Sequence, residues 1–213
     1  MATVTAAQVK ALRELTDQPM MDCKKALQKA DGDQERAIEL LREASGAKLD
    51  KRKDNLTNEG QVFIAVADDG SAASMVEIQC ESAPVATGED LSNLGQAMAA
   101  YVLAHPEADS VDSLMASTPD GGAQTFQAQF DEMVSKIREK IVVNRVAHET
   151  GHVGTYVHHN KKNAVVFVAE GGGKSPEILR DVAMHIAALS PTVVRPEELD
   201  DAAVSAERDR LSE

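Results

Sequence analysis

Apolar residues recur at helical spacing through the first part of the chain. Val9 and Leu12 form one set, Cys23, Ala26, Leu27 and Ala30 a second, and Ala37, Ile38, Leu41 and Ala44 a third. This period predicts three short helices between residues 5 and 46. Thr5 is placed to cap the first, Pro19 suits the first turn of the second, Gly32 stops that helix and Asp33 can cap the third. Three helices in about forty residues make a bundle near the lower limit of independent stability. Residues 47–59 are polar, lack a sustained apolar period and read as a linker.

Beyond Gly60 the period changes. Val62 to Ala67 and Ser74 to Cys80 read as strands, with Asp68-Asp69-Gly70 as the hairpin turn. Val76, Ile78 and Cys80 then share one face, opposite Glu77 and Gln79. Helical stripes follow at Leu91, Leu94, Met98 and Val102, around Val111 to Met115, and at Phe126, Phe130, Met133, Ile137 and Ile141. A second hairpin spans Val153 to His158 and Ala164 to Ala169. Another helix starts at Ser175-Pro176 with Leu179, Val182, Ala183 and Ile186 in step. Thr192 to Val194 reads as a short strand, and a final acidic helix starts near Pro196-Glu197. A hairpin followed by helical segments thus occurs twice, from Gly60 and from Gly151, with little identity between the copies. The expected class is α+β: residues 1–46 a helical bundle, 47–59 a linker and 60–213 a core of antiparallel hairpins and helices.

Composition narrows the partners. The formal net charge of −13 repels phosphate backbones and anionic lipid, and suits a basic patch on a protein partner. No direct nucleic-acid or membrane partner is expected. With no Trp, two Tyr and four Phe, the core must be built from aliphatic residues and Met. Two cysteines, Cys23 and Cys80, do not make a disulfide framework, and both fall in apolar-patterned segments. No secretory signal and no stretch of membrane-spanning length is visible, so a soluble cytoplasmic protein is expected.

Candidate chemistry is sparse. Gly171-Gly172-Gly173-Lys174-Ser175 resembles the end of a phosphate-binding loop, but position 168 is Val where that pattern requires Gly. His148, His152, His158 and His159 lack metal-ligand spacing, and adjacent His158 and His159 in a strand would face opposite sides. No metal, no cofactor and no catalytic residue is expected. A binding module confined to residues 1–46 would leave the larger core without a role.

Four segments together resemble the elongation factor Ts family. They are VKALRELTDQPMMDCKKALQKADGDQERAIELLRE near the N-terminus, VEIQC followed by APVA, KIREKIVVNRVA from Lys136 to Ala147, and MHIAALSP from Met184 to Pro191. They occur in order and span nearly the whole chain. The resemblance implies a ubiquitin-associated-like N-terminal bundle and a core that grips elongation factor Tu. It implies a guanine-nucleotide exchange factor that binds elongation factor Tu in GDP-bound and nucleotide-free forms and promotes GDP release, with no covalent chemistry of its own. Such a factor binds the empty GTPase better than the loaded one, and by linkage weakens nucleotide binding equally.

The resemblance carries partner contact to Leu12, Met20 and Met21. Two methionines at a helix start form an adaptable apolar patch, whereas Leu12 equally suits the bundle core. His185 falls near partner contacts in the family, and its plain reading is a histidine on the polar side of a helix. Arg145 and Lys24 are carried over with surface charge as the plain reading. At the motif that dislodges magnesium, the family typically has Thr-Asp-Phe-Val. This chain has Ser82, Ala83, Pro84 and Val85, with neither the carboxylate nor the aromatic anchor. The alternative function is therefore a diverged adaptor that binds elongation factor Tu with weak or no exchange activity. Many members also continue into a coiled-coil hairpin and a final core segment. The sequence given ends at Glu213, and a second copy of the chain is the expected substitute cover for an open strand pair.

Overall fold

The structure, a computed structural model, describes residues 4–171 and 175–212, with the side chains of residues 48–50 outside that description. Helices α1 (Ala6–Thr16), α2 (Met20–Lys29) and α3 (Gln34–Asp50) form the N-terminal bundle. The Thr5 side chain accepts the Gln8 N–H, and Gln8 reaches back in a capping box. Pro19 occupies the cap position of α2 itself. Gly32, at φ 89°, closes α2 by donating its N–H to the Leu27 carbonyl at 2.9 Å. Asp33 Oδ1 accepts the Arg36 N–H at 3.0 Å and starts α3. Val9, Leu12, Cys23, Ala26, Leu27, Ala37 and Leu41 form a closed core among these helices. The third helix runs past Gly46 into the stretch expected as linker, because Ala44, Ala47, Lys48 and Leu49 are strong helix formers.

Strands β1 (Glu59–Val66) and β2 (Ala72–Cys80) form the first hairpin, with Gly70 at φ 70° in its turn. Strand β3 (Ile141–Thr150) completes a three-stranded antiparallel sheet in the order β1-β2-β3. This strand corrects the expected helical stripe. Ile141 lies four residues from Ile137, but the helix ends between them, where Arg138 turns left-handed at φ 65°. The β-branched run from Ile141 then pairs with β2 across a bulge at Glu77 and Ile78.

Helices α4 (Ala83–Ala86), α5 (Glu89–Ala104), α6 (Val111–Ala116) and α7 (Phe126–Ile137) cover one face of this sheet. Phe63, Val76, Ile78, Leu91, Met98, Leu114 and Phe126 belong to the shared core. Gly95 of α5 lies against the Phe63 ring. A Cβ there would fall 2.2 Å from a ring carbon, so the helix and sheet approach closely only because position 95 is glycine.

Strands β4 (His152–Val157) and β5 (Ala164–Ala169) form the second hairpin, covered by α8 (Pro176–Leu189). Val153 N–H bonds the Gly70 carbonyl and Val62 N–H bonds the Lys161 carbonyl, at 3.1 and 2.8 Å, fastening this hairpin to the first. His158 lies beyond the end of β4, and its ring centre is 4.1 Å from that of His159, so the two do not face apart as they would in a strand. No strand forms over Thr192 to Val194. Pro191 and Pro196 bracket the segment, and Val194 is 92 % exposed with no surface to pair against. A single 3₁₀ turn covers Pro196–Glu198 before α9 (Asp201–Ser212), so the last helix begins later than expected.

The architecture is α+β, as the periodicity predicts. Cys23 and Cys80 are buried free thiols in separate cores. Among the described residues no helix is long and apolar enough to cross a membrane, and no group of three or more His, Cys, Asp and Glu is placed to hold a metal ion.

Candidate partner-binding surface

Residues 82–85 form the corner between β2 and α5. Ser82 is extended, and Ala83 begins the four-residue helix α4, with Pro84 in its first turn. Ala86 is buried and Val85 packs against the core, which leaves Ala83 and Pro84 facing outward. Thr87 Oγ1 donates to the Ala83 carbonyl at 3.1 Å and tightens the turn. The corner offers a small apolar surface without charge. Burial pushes the neighbouring Cys80 thiol up from its ordinary value, which keeps it protonated and unreactive.

Glu81 holds this corner to two other segments. Its Oε1 accepts the Lys140 N–H at 2.6 Å, and its Oε2 accepts from Arg52 at 2.9 Å and Asn55 at 2.7 Å. The Lys140 N–H chiefly, with Asn55 and Arg52, holds the Glu81 carboxyl below the usual carboxylate range, against a smaller opposing effect of desolvation. Lys140 Nζ donates to the carbonyls of Lys53 and Asn55 at 2.5 and 2.9 Å. Ser82 Oγ donates to Glu139 Oε1 at 2.8 Å. Residues 138–140 therefore meet both the corner and the segment that follows α3.

On the bundle, Met20 and Met21 are 46 % and 59 % exposed at the start of α2. Leu12 is completely buried in the bundle core, where its packing role is satisfied. Lys24 is exposed on α2. Gln18 and Asp22, which flank the methionines, face the core domain. Gln18, only 5 % exposed, donates through Nε2 to the Ser135 carbonyl at 3.0 Å and accepts from Arg138. Arg138 also pairs with Asp22 at 3.0 Å, and Lys136 with Asp17 at 3.4 Å.

His185 is exposed on α8, by a shallow cleft of about 420 Å³ formed with Ile178, Val182, Ile186, Leu189 and Pro191. It belongs to the layer over β4 and β5. Arg145 lies on β3, where Nε donates to Glu77 Oε2 at 2.6 Å. Burial raises the Glu77 carboxyl, but the bonds from Arg145, Asn144 and Gln79 outweigh it and hold it below its ordinary value. Of the glycine-rich run at 171–175, residues 172–174 lie outside the described residues.

The structure thus joins the Met20–Met21 surface and the 82–85 corner through residues 138–140, and places His185 in another layer. The sequence reading did not assign Glu81, Arg138, Glu139 or Lys140. Residues 138–140 fall inside the segment KIREKIVVNRVA, but the apolar stripe that continues from Ile137 to Ile141 carries them as helix and gives no sign of a junction.

A family model described as Elongation factor TS matches residues 81–213. A protein from Hydrogenovibrio crunogenus named elongation factor Ts is 42 % identical over 207 residues, covering 96 % of this chain and 69 % of that protein. Proteins of the same name from Thioalkalivibrio sulfidiphilus and Streptomyces ramocissimus are 40 % and 39 % identical, over 93 % and 100 % of this chain and 69 % and 77 % of theirs. With the family pattern covering the core from residue 81 onward and the likeness to these relatives reaching back through the first hairpin and the bundle, the chain belongs to the elongation factor Ts family of translation elongation factors.

Proposed function

We propose that this chain binds GDP-loaded elongation factor Tu and promotes GDP release, acting by docking alone. Residues 1–46 serve as a ubiquitin-associated-like unit whose Met20 and Met21 meet the nucleotide domain of the GTPase, and residues 60–213 serve as the gripping core. The observation that carries this reading is the exposure of the adjacent pair Met20 and Met21, 46 % and 59 %, at the start of α2, beside a core in which Leu12 and Leu27 are buried. Leu15 on α1, 62 % exposed, is a further apolar residue left in water on the same bundle. An apolar pair kept in water at a helix start suits a partner surface.

The corner at Ser82 to Val85 supplies the second contact. Ala83 and Pro84 face outward there, but with no carboxylate or aromatic ring to wedge into a magnesium site. Exchange then rests on the remaining contacts and proceeds at reduced efficiency. A Mg²⁺ site depends on near-ideal geometry, so small displacements of its protein ligands still loosen it. His185 and the apolar cleft around it fit a further contact from α8.

The test is release of labelled GDP from elongation factor Tu, with and without the chain. Acceleration that saturates with added chain is the expected result. A complex that forms without acceleration would select the adaptor reading instead, and absence of any complex would dismiss both.

A further inference from the structure

The bundle and the core have separate hydrophobic clusters that share no residue. Clefts of about 640 and 410 Å³ open along their seam, and Gln18 lines both. Apolar packing therefore does little to fix the orientation of one part against the other. The seam is instead polar and concentrated at the end of α7. Ser135 offers its carbonyl to Gln18, Lys136 pairs with Asp17, and Arg138 reaches Gln18 and Asp22. One residue further, Glu139 accepts from Ser82, and Lys140 binds Glu81, Lys53 and Asn55.

We infer that Arg138, Glu139 and Lys140 are positioning residues that hold the Met20–Met21 surface and the 82–85 corner in one fixed relation, so that both meet the GTPase in a single docking step. Two details support this. Gln18 and Asp22 flank Met20 and Met21 in sequence, so the latch grips the bundle at its proposed contact surface. Arg138 also adopts a left-handed backbone, φ 65° and ψ 28°, which glycine fills without strain. Arg138 holds this strained backbone while its guanidinium makes the seam contacts. Fixing two contact surfaces in advance lowers the ordering cost of docking and raises the effective concentration of the second contact.

The inference rests on the proposed function only for its kinetic half, so the experiment has two arms on the full chain. In the first, spin labels at Glu35→Cys on α3 and Ala97→Cys on α5, both exposed, report the distance distribution between bundle and core in the free protein. Arg138→Gly keeps the backbone form and removes the guanidinium. It should broaden the distribution severalfold, while core melting is retained. The swap Arg138→Asp with Asp22→Arg should narrow it again. In the second arm, Arg138→Gly should raise the chain concentration giving half-maximal GDP release about tenfold, with the maximal rate little changed. An unchanged distance distribution overturns the inference, as does a broadened one with unchanged half-saturation. If the unaltered chain fails to accelerate GDP release, the functional reading falls, and the distance arm still decides whether the latch holds the two parts.

Discussion

The backbone amide of Lys140 donates to Glu81 Oε1 at 2.6 Å, tying the end of β2 to the residue before β3. With Arg52 and Asn55 on the other carboxylate oxygen, this bond keeps the Glu81 carboxyl ionised below its ordinary titration range. A carboxyl lowered in the folded state stabilises fully above its unfolded value, near pH 4.3. That contribution is lost as pH falls through the lower folded value. Glu81→Gln should therefore melt at a lower temperature than the parent at neutral pH, and the gap should close on acidification below about pH 4. Thermal melts across that range check it. A gap that stays constant with pH would show that the charge of Glu81 contributes nothing.

Gly95 and Phe63 set the spacing of α5 on the sheet. Gly95→Ala adds a methyl 2.2 Å from the ring of a buried Phe63. Overpacking of this kind costs about 1–3 kcal/mol. The gain in helix propensity returns about 1 kcal/mol at most. A net loss in the denaturant midpoint is expected. Gly46→Ala, in α3 with no atom within 4 Å of the added Cβ, is the matched control and should stabilise.

Met20→Ala and Met21→Ala should leave the melting temperature nearly unchanged, since both side chains are exposed. Together they should raise the half-saturating concentration in the GDP-release assay by about tenfold or more, which corresponds to ~1.4 kcal/mol. Leu12→Ala should behave oppositely and unfold the bundle, since Leu12 is completely buried and such truncations cost about 2–5 kcal/mol. Circular dichroism melts beside the release assay separate the two effects.

Ala83→Asp with Pro84→Phe should raise the maximal rate of GDP release. Both positions face outward on α4, so the new side chains can enter the interface without disturbing Val85 and Ala86. A buried aromatic anchor is worth ~2 kcal/mol or more where it fits. Unchanged release by a folded double variant would mean that this corner does not reach the nucleotide site.

Local chemistry made much of this molecule readable from its sequence. Thr5, Asp33 and Ser175 each bond a backbone amide at a helix start, and such caps need only neighbours three residues away. The first hairpin is marked by its Asp68-Asp69-Gly70 turn for the same reason. Strand β3 was hidden because Ile141 continues the spacing of α7, while its real partners, Ile78 to Cys80, lie some sixty residues earlier. The junction at 138–140 was hidden more deeply. Its meaning depends on Gln18, Asp22, Glu81 and Ser82, which only the folded chain brings together. The exposure of Met20 and Met21 was likewise undecidable from the helical period, which places Leu12 and the methionines in similar apolar surroundings.

The two disconnected apolar interiors have a calorimetric consequence. Heat uptake on warming need not follow one cooperative event, because the small helical unit at the N-terminus can lose its own interior while the sheet keeps another. The polar clasp between them then sets how far the two endotherms merge, and salt, which weakens exposed ion pairs, would draw them apart.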